Sequence, residues 1–303
     1  MSRRGWALFA AMGLIWGLPY LLIKVVVADL SPSTLVLART ALAGAILLPV
    51  AIARGRFRQL LAAWRPLTAF AVIEIMIPWV LLGIAEQHLS SGLTGLLIAS
   101  VPLVGAVLAV ATRADDRLDG RRVVGLFVGL AGVASLVWFK VDGGDIRAVA
   151  ALGFVAVCYA AGPLILSRWL SDLPGVGVIT FSLLLTALVY LPVGVAQAPS
   201  SWPRAEVTLS IVGLAVICTA VAFLVFFELI AEVGPTRSTV ITYVNPAVAV
   251  LLGVVVLDEE FTLATAVGFV LILTGSVLAT RRAAPARDGD PVLPAAVPIA
   301  AEP

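Results

Sequence analysis

Apolar positions in this chain neither alternate nor recur at a helical period. They run on uninterrupted and are then broken by short clusters of arginine, aspartate, glycine and proline. Ten such runs cover 5–27, 33–53, 66–86, 89–111, 121–139, 148–168, 174–197, 206–230, 236–256 and 262–280. A helix crosses the hydrocarbon core with ~20 predominantly apolar residues, so each run is long enough to span. In lipid only helices and closed barrels satisfy the backbone, and barrel strands would alternate polar and apolar side chains every second residue. The pattern predicts an all-α, polytopic integral membrane protein with ten transmembrane helices.

Composition agrees with the pattern. Hydrophobic residues make up 61% of the 303 and charged residues 13%, with mean hydropathy +1.10, whereas a soluble domain carries about 25% charge. The third run tests the reading because it contains Glu74. Ten Leu, Ile, Val or Phe lie between Leu67 and Ile84, each favouring insertion by about 0.3–0.6 kcal/mol against a cost of roughly 3 for one carboxylate. The run still inserts. The first run follows Arg3 and Arg4 but is too long for a signal peptide and lacks a small-residue cleavage site, so it is expected to stay in the mature protein.

The placement of charge sets an orientation. With the N-terminus in the cytoplasm, fifteen Lys or Arg fall in inner loops and ends, and only Lys140, Arg147 and Arg204 fall outside. The positive-inside rule then places both termini in the cytoplasm of a cell whose inner membrane holds the protein. Trp6, Trp64, Trp138, Trp169 and Trp202 stand at run ends, where the headgroup layer suits an indole. Residues 281–303 are Pro/Ala-rich and are expected to form a disordered cytoplasmic tail. Cys158 and Cys218 lie inside runs with no disulfide or metal spacing, His88 has no metal-binding companions, and a net charge of +2 gives no sign of nucleic acid. No cofactor is implied.

The chain repeats itself. At an offset of 143 or 144 residues, Pro19 meets Pro163, Lys24 meets Arg168, Pro49 meets Pro192, Pro102 meets Pro246, Gly125 meets Gly268 and Gly132 meets Gly275. The halves, 1–139 and 148–280, hold five runs each. Five is odd, so two copies folded alike lie oppositely oriented in the membrane, as in secondary transporters whose sites form near the midplane between repeats. Proline inside a helix costs about 3 kcal/mol or more, yet Pro102 and Pro246 occupy the same place in both halves. Kinks there expose carbonyls to a cavity or permit gating, and Asn245 adds a donor and an acceptor beside the second; helix packing is the alternative use of such kinks.

The stretches "SSGLTGLLIASVPLVGAVLA" and "GPTRSTVITYVNPAVAVLLGVVVLDEEFTLATAVGFVLILTGSVL" resemble the two repeat ends of EamA-type drug/metabolite transporters, and "IWGLPYLLIK" followed by "LARTALAG" resembles that family's opening helices, with Trp16, Lys24 and Arg39 in place. The resemblance covers residues 5–280. It implies ten helices in a five-plus-five inverted repeat that move small-molecule substrates, often as export of metabolites or drugs. "TRADDRLDG" departs from the usual Gly-Glu pair, and the second half carries "LDEE".

Candidate chemistry begins with Glu74. It lies eight positions into its run, about 12 Å deep at 1.5 Å per residue, where a carboxylate must be protonated, paired or wet. Such a group can exchange protons with the transport cycle or serve as a structural acid. Arg39, about two turns into the second run, and Lys24 could attract an anionic group, with snorkelling to the headgroups as the alternative. Trp16, Trp79, Tyr159 and Tyr243 sit within runs and suit a cavity for an amphipathic solute or ordinary packing. Gly13 with Gly17, and Gly125 with Gly129, predict close helix contacts. Glu228 is expected at the interface.

One enzymatic alternative has a spacing behind it. Asp115, Asp116 and Asp119 in "DDRLD" could hold magnesium and a diphosphate, as membrane prenyl-transfer chemistry requires. The only acidic counterpart, 258–260, falls on the opposite face. A solvated charged turn explains the triplet better. The expectation is therefore an alternating-access exporter without cofactors, with lipid and a small solute as partners and protons as a candidate coupling ion.

Overall fold

A computed structural model describes residues 2–111, 120–141, 145–234 and 238–280. Ten helices are long and apolar enough to cross a membrane: α1 Arg3–Val27, α2 Pro32–Arg54, α3 Trp64–His88, α4 Ser91–Leu108, α5 Gly120–Lys140, α6 Ile146–Trp169, α7 Gly175–Ala196, α8 Ala205–Val233, α9 Val240–Leu257 and α10 Leu263–Thr280. The protein is a polytopic, all-helical membrane protein. The Asp115–Asp119 cluster and the tail after Thr280 lie outside the described residues.

Helix starts follow local chemistry. Ser2 caps α1 by accepting from Gly5 N at 2.9 Å, and Ser31 caps α2 by accepting from Thr34 N, with Pro32 in the first turn where its missing N–H is not needed. Between α2 and α3, Gly55 and Arg56 take positive φ angles of 73° and 65° to reverse the chain into the short helix Phe57–Ala62. All five tryptophans expected at the interfaces are exposed, whereas Trp79 is 8% exposed.

Contacts between the halves follow the repeat. Helix α2 packs along its repeat-mate α7, α5 along α10, and α4 against α9. Further cross-contacts come in matched sets, α1 against α8 and α9 with α6 against α3 and α4, and α2 against α8 with α7 against α3, while α10 also touches α4. Glycine sets the tightest crossings. A Cβ on Gly125 or Gly132 would meet the backbone of α10, and one on Gly275 would meet Gly129 of α5. Gly13 and Gly17 likewise admit Val244 and Val248 of α9 against α1.

Two pairs of irregularities also keep the offset. Helix α4 pauses at Ala99–Ser100 and restarts at Val101, and α9 opens with a 3-10 turn, Thr239–Tyr243, before its α-helix starts at Asn245. Pro102 and Pro246 therefore stand at the second residue of a fresh helical segment rather than at a bend in a continuous helix. A proline there removes no intrahelical bond. The other pair is π-helical: Ala71–Met76 in α3 and Gly213–Val221 in α8.

Ion pairs fasten the ends of the bundle. At one end Arg204, before α8, donates to both carboxylate oxygens of Asp29 at 2.9 and 3.2 Å, which pushes the Arg204 guanidinium still higher than its ordinary pKa. At the other end Arg56 donates to the carbonyl of Asp172 at 2.9 Å, and Asp172 is the repeat-mate of Asp29. Arg4 also pairs with Glu228 there at 2.7 Å, which places Glu228 at the helix end expected for it.

Candidate functional site

The two π-helical stretches bring the interior polar groups together. A π turn widens the helix and leaves carbonyls without their usual i+4 partner, so side chains must satisfy them. In α8, the Thr219 hydroxyl donates to Leu214 O at 2.7 Å and accepts from Arg39 Nε of α2 at 2.9 Å. In α3, Met76 O accepts from the Tyr190 hydroxyl of α7 at 3.0 Å. Met76 and Thr219 are repeat-mates, and each carries a hydrogen bond to the other half, Met76 from Tyr190 and Thr219 from Arg39.

Arg39 is 7% exposed, and its guanidinium carbon lies 3.6 Å from the centre of the Trp79 ring. A buried cation is costly unless it is compensated. The indole face and the Thr219 hydroxyl compensate part of that cost, and Arg39 forms no ion pair among the described residues. Tyr159 of α6 lies beside the Trp79 indole and within electrostatic reach of both Arg39 and Glu74.

Glu74 lies in the π stretch of α3, with its carboxyl against Gly162 of α6, where a Cβ would overlap it. One of its carboxylate oxygens is buried without a hydrogen-bond partner. Arg39, Glu74, Trp79 and Tyr159 thus form one constellation from α2, α3 and α6, closed by Thr219 of α8. Such a site can hold an anionic group at the guanidinium and a cation or proton at the carboxyl, with aromatic faces between them.

The structure places the other candidates elsewhere. Trp16 packs on Phe223 and Phe226 of α8, with ring centres 6.0 and 4.7 Å away. The Tyr243 hydroxyl bonds Thr280 of α10 at 2.8 Å. The Asn245 amide, oriented to suit its neighbours, donates to Ile241 O at 3.0 Å and to Gly13 O at 3.3 Å, stitching α9 to α1. Lys24 donates to the carbonyls of Glu86 and Leu89, capping the end of α3.

Three polar residues escaped the sequence reading. Thr219 is the repeat-mate of an ordinary methionine and sits in an apolar run, so nothing marks it. Tyr20 lies within reach of both Arg39 and Glu86. Glu86 ends its apolar run with no motif to single it out, yet it is fully buried. Its spacing of seven from Trp79 was the available signal, because residues two turns apart share a helix face.

Ten membrane helices, matched cross-contacts and an interior charged site define the class as a polytopic membrane transporter. Sequence comparison supplies the family. The profile of the EamA-like transporter family matches twice, at residues 3–138 and 147–281, and the chain belongs to that family. Among its relatives is the uncharacterized inner membrane transporter YedA of Escherichia coli (strain K12), 31% identical over 261 residues, 82% of this chain and 80% of the relative. The uncharacterized transporter YvbV of Bacillus subtilis (strain 168) is 25% identical over 277 residues, 89% and 90% of the two chains. A Streptantibioticus cattleyicolor protein named a probable terminal-alkyne amino-acid exporter is 28% identical over 301 residues, 93% and 95% of the two chains. A solved crystal structure superposes with a TM-score of 0.65 at 21% identity, covering 92% of this chain and 97% of the other, and shows the shared fold.

Proposed function

We propose that this chain is a secondary transporter that exports small organic solutes by alternating access between two oppositely oriented five-helix repeats, with both termini in the cytoplasm. The observation that carries the reading is the buried Arg39 on the Trp79 ring, bonded to Thr219 of the other half. A cation held in the bundle interior without a counter-carboxylate among the described residues attracts an anionic solute group, and its attachment to both halves lets occupancy bear on their relative position. Family membership supports transport, the exporter among the relatives supports the direction, and the excess of arginine on one face supports the orientation. Glu74 is the coupling carboxylate in this scheme, poised in a helix segment whose backbone already departs from α geometry.

The test begins with metabolite profiling of cells with and without the protein, followed by flux of the implicated solutes in proteoliposomes. Solutes bearing an anionic group are expected to appear outside expressing cells. Arg39→Met is expected to reduce their flux by about 100-fold, in line with the ~2–5 kcal/mol lost when one partner of a buried charge pair is removed. Glu74→Gln is expected to abolish gradient-driven flux while solute exchange at equal concentrations persists. Unchanged medium composition together with no flux in vesicles would remove the reading; full gradient-driven flux in Glu74→Gln would remove Glu74 from it.

A further inference from the structure

A second buried acid lies two turns beyond Trp79 on the same face of α3. Glu86 is 0% exposed, and neither of its carboxylate oxygens has a hydrogen-bond partner. The ammonium group nearby is engaged elsewhere, since Lys24 Nζ of α1 donates to the main-chain carbonyl of Glu86 at 2.6 Å and to that of Leu89 at 2.8 Å. These are end-of-helix carbonyls, for which a cation is a favourable cap.

The second half closes this corner. Glu259, in the turn between α9 and α10, accepts from Ser91 N at 2.6 Å and Gly92 N at 2.9 Å, capping the first turn of α4. Gly253 and Gly92 leave room for that carboxylate, for a Cβ on either would crowd it. The Ser91 and Thr94 hydroxyls, one turn apart, are buried without partners. A cavity of about 30 Å³, enough for a water molecule, opens beside Glu259 and is bounded by Ser90, Gly92, Lys140, Glu259, Glu260 and Thr265 but not by Glu86 itself.

We propose that Glu86 is a second proton-carrying site of this transporter, with Lys24 as the counter-ion of its ionised form. The inference rests on the transport reading above but concerns a different carboxyl group at a different end of α3. In the conformation described, the acid is neutral and Lys24 caps α3. Loss of the proton to water leaves a carboxylate, and the Lys24 ammonium leaves the two carbonyls to pair with it. The charge balances, because a neutral acid beside one cation becomes an ion pair and a proton in water. The end of α3 loses its cap in the same step. Since the adjoining α4 terminus is held by Glu259 of the other half, proton occupancy reaches a contact between the repeats.

Three groups lie within electrostatic reach of the Glu86 carboxyl or of Tyr20 beside it: Lys24, Glu259 and Arg39. Helix α9 contributes Val250 and α6 contributes Ala148 and Leu152 to the surrounding apolar cluster. His88 and Asp145, at the same corner, pair with each other at 3.6 Å, Arg147 is exposed, and Lys140 lines the cavity.

The test is pH-difference infrared spectroscopy of the full chain in proteoliposomes without added solute. A band from a protonated carboxylic acid is expected to vanish as pH rises, to be absent in Glu86→Gln and to persist in Glu74→Gln. Lys24→Met is expected to retain the band at pH values where the wild type has lost it. Wild-type and Glu86→Gln difference spectra that coincide overturn the proposal, as does a Lys24→Met titration identical to wild type. Should Glu86→Gln fail to fold, Glu86→Asp keeps a titratable group and must shift the band; an unshifted band is equally fatal. Because the readout involves no flux, a protein that transports nothing but shows the Glu86 band refutes the transport reading alone.

Discussion

Helices α5 and α10 are repeat-mates, and so are α3 and α8, yet the two pairs are built on opposite plans. The α5–α10 pair is regular α-helix brought to backbone contact by Gly125, Gly129, Gly132 and Gly275, with Leu136 of α5 set against Gly268 of α10. Helices α3 and α8 each carry a π stretch held by side-chain hydrogen bonds: Tyr190 of the opposite half donates to Met76 O in α3, and in α8 Thr219 donates to Leu214 O while accepting from Arg39 of the opposite half. Where glycine removes the side chain, the two backbones have one way to fit, and the contact is stiff. Where the helix is widened, side chains hold the irregular turn, Tyr190 from a neighbouring helix and Thr219 from the stretch itself. The alternating access proposed above calls for both a fixed seam and a segment able to change partners, and the two pairs are the candidates for these roles.

The sharpest way to break the stiff pair is Gly275→Leu. A side chain there would enter the backbone of Gly129 and Gly125, so the substitution is expected to lower stability by ~3 kcal/mol or more and to leave little folded protein. Size-exclusion profiles and thermal unfolding in detergent would show it. On the adaptable pair the expected effect is smaller and falls on function. Thr219→Ala removes the acceptor of Arg39 Nε and the donor to Leu214 O; at ~1–2 kcal/mol it is expected to raise the solute KM about tenfold with the fold intact, and Thr219→Ser is expected to restore it. The smallest effect belongs outside both pairs. Arg204→Gln breaks an exposed ion pair with Asp29, of a kind that contributes little, and no measurable change in unfolding temperature is expected. A large loss in Arg204→Gln would show that the loops, not the glycine seam, hold the halves together.

The two plans were not equally readable. Continuous apolar runs gave all ten helices, with ends within four residues of those observed, because lipid imposes length and composition on any spanning segment. The glycine contacts were readable too, since absence of a side chain in a helix that must pack is itself a signal. The π stretches were not: "AVIEIM" and "GLAVICTAV" contain no residue that forbids an ordinary α-helix, and their tertiary partners, Tyr190 at Met76 and Arg39 at Thr219, come from distant parts of the chain. The interior constellation was half readable. Arg39, Glu74, Trp79 and Tyr159 stood out as polar or aromatic residues in lipid-length runs, and the structure gathers them. Trp16, Tyr243 and Asn245 stood out for the same reason, yet they pack against neighbouring helices, because polarity inside a run says that a partner exists without saying which. Glu86 stayed unmarked at the end of its run, because nothing in the local sequence says that tertiary packing buries it.

Gly162 makes the position of the Glu74 acid a matter of one methyl group. The carboxyl occupies the space that an alanine side chain would fill, so the smallest possible enlargement of α6 would evict it and force a new torsion about its own carbon chain. Residue 162 is therefore a ruler for that torsion, readable by any substitution that adds a single carbon.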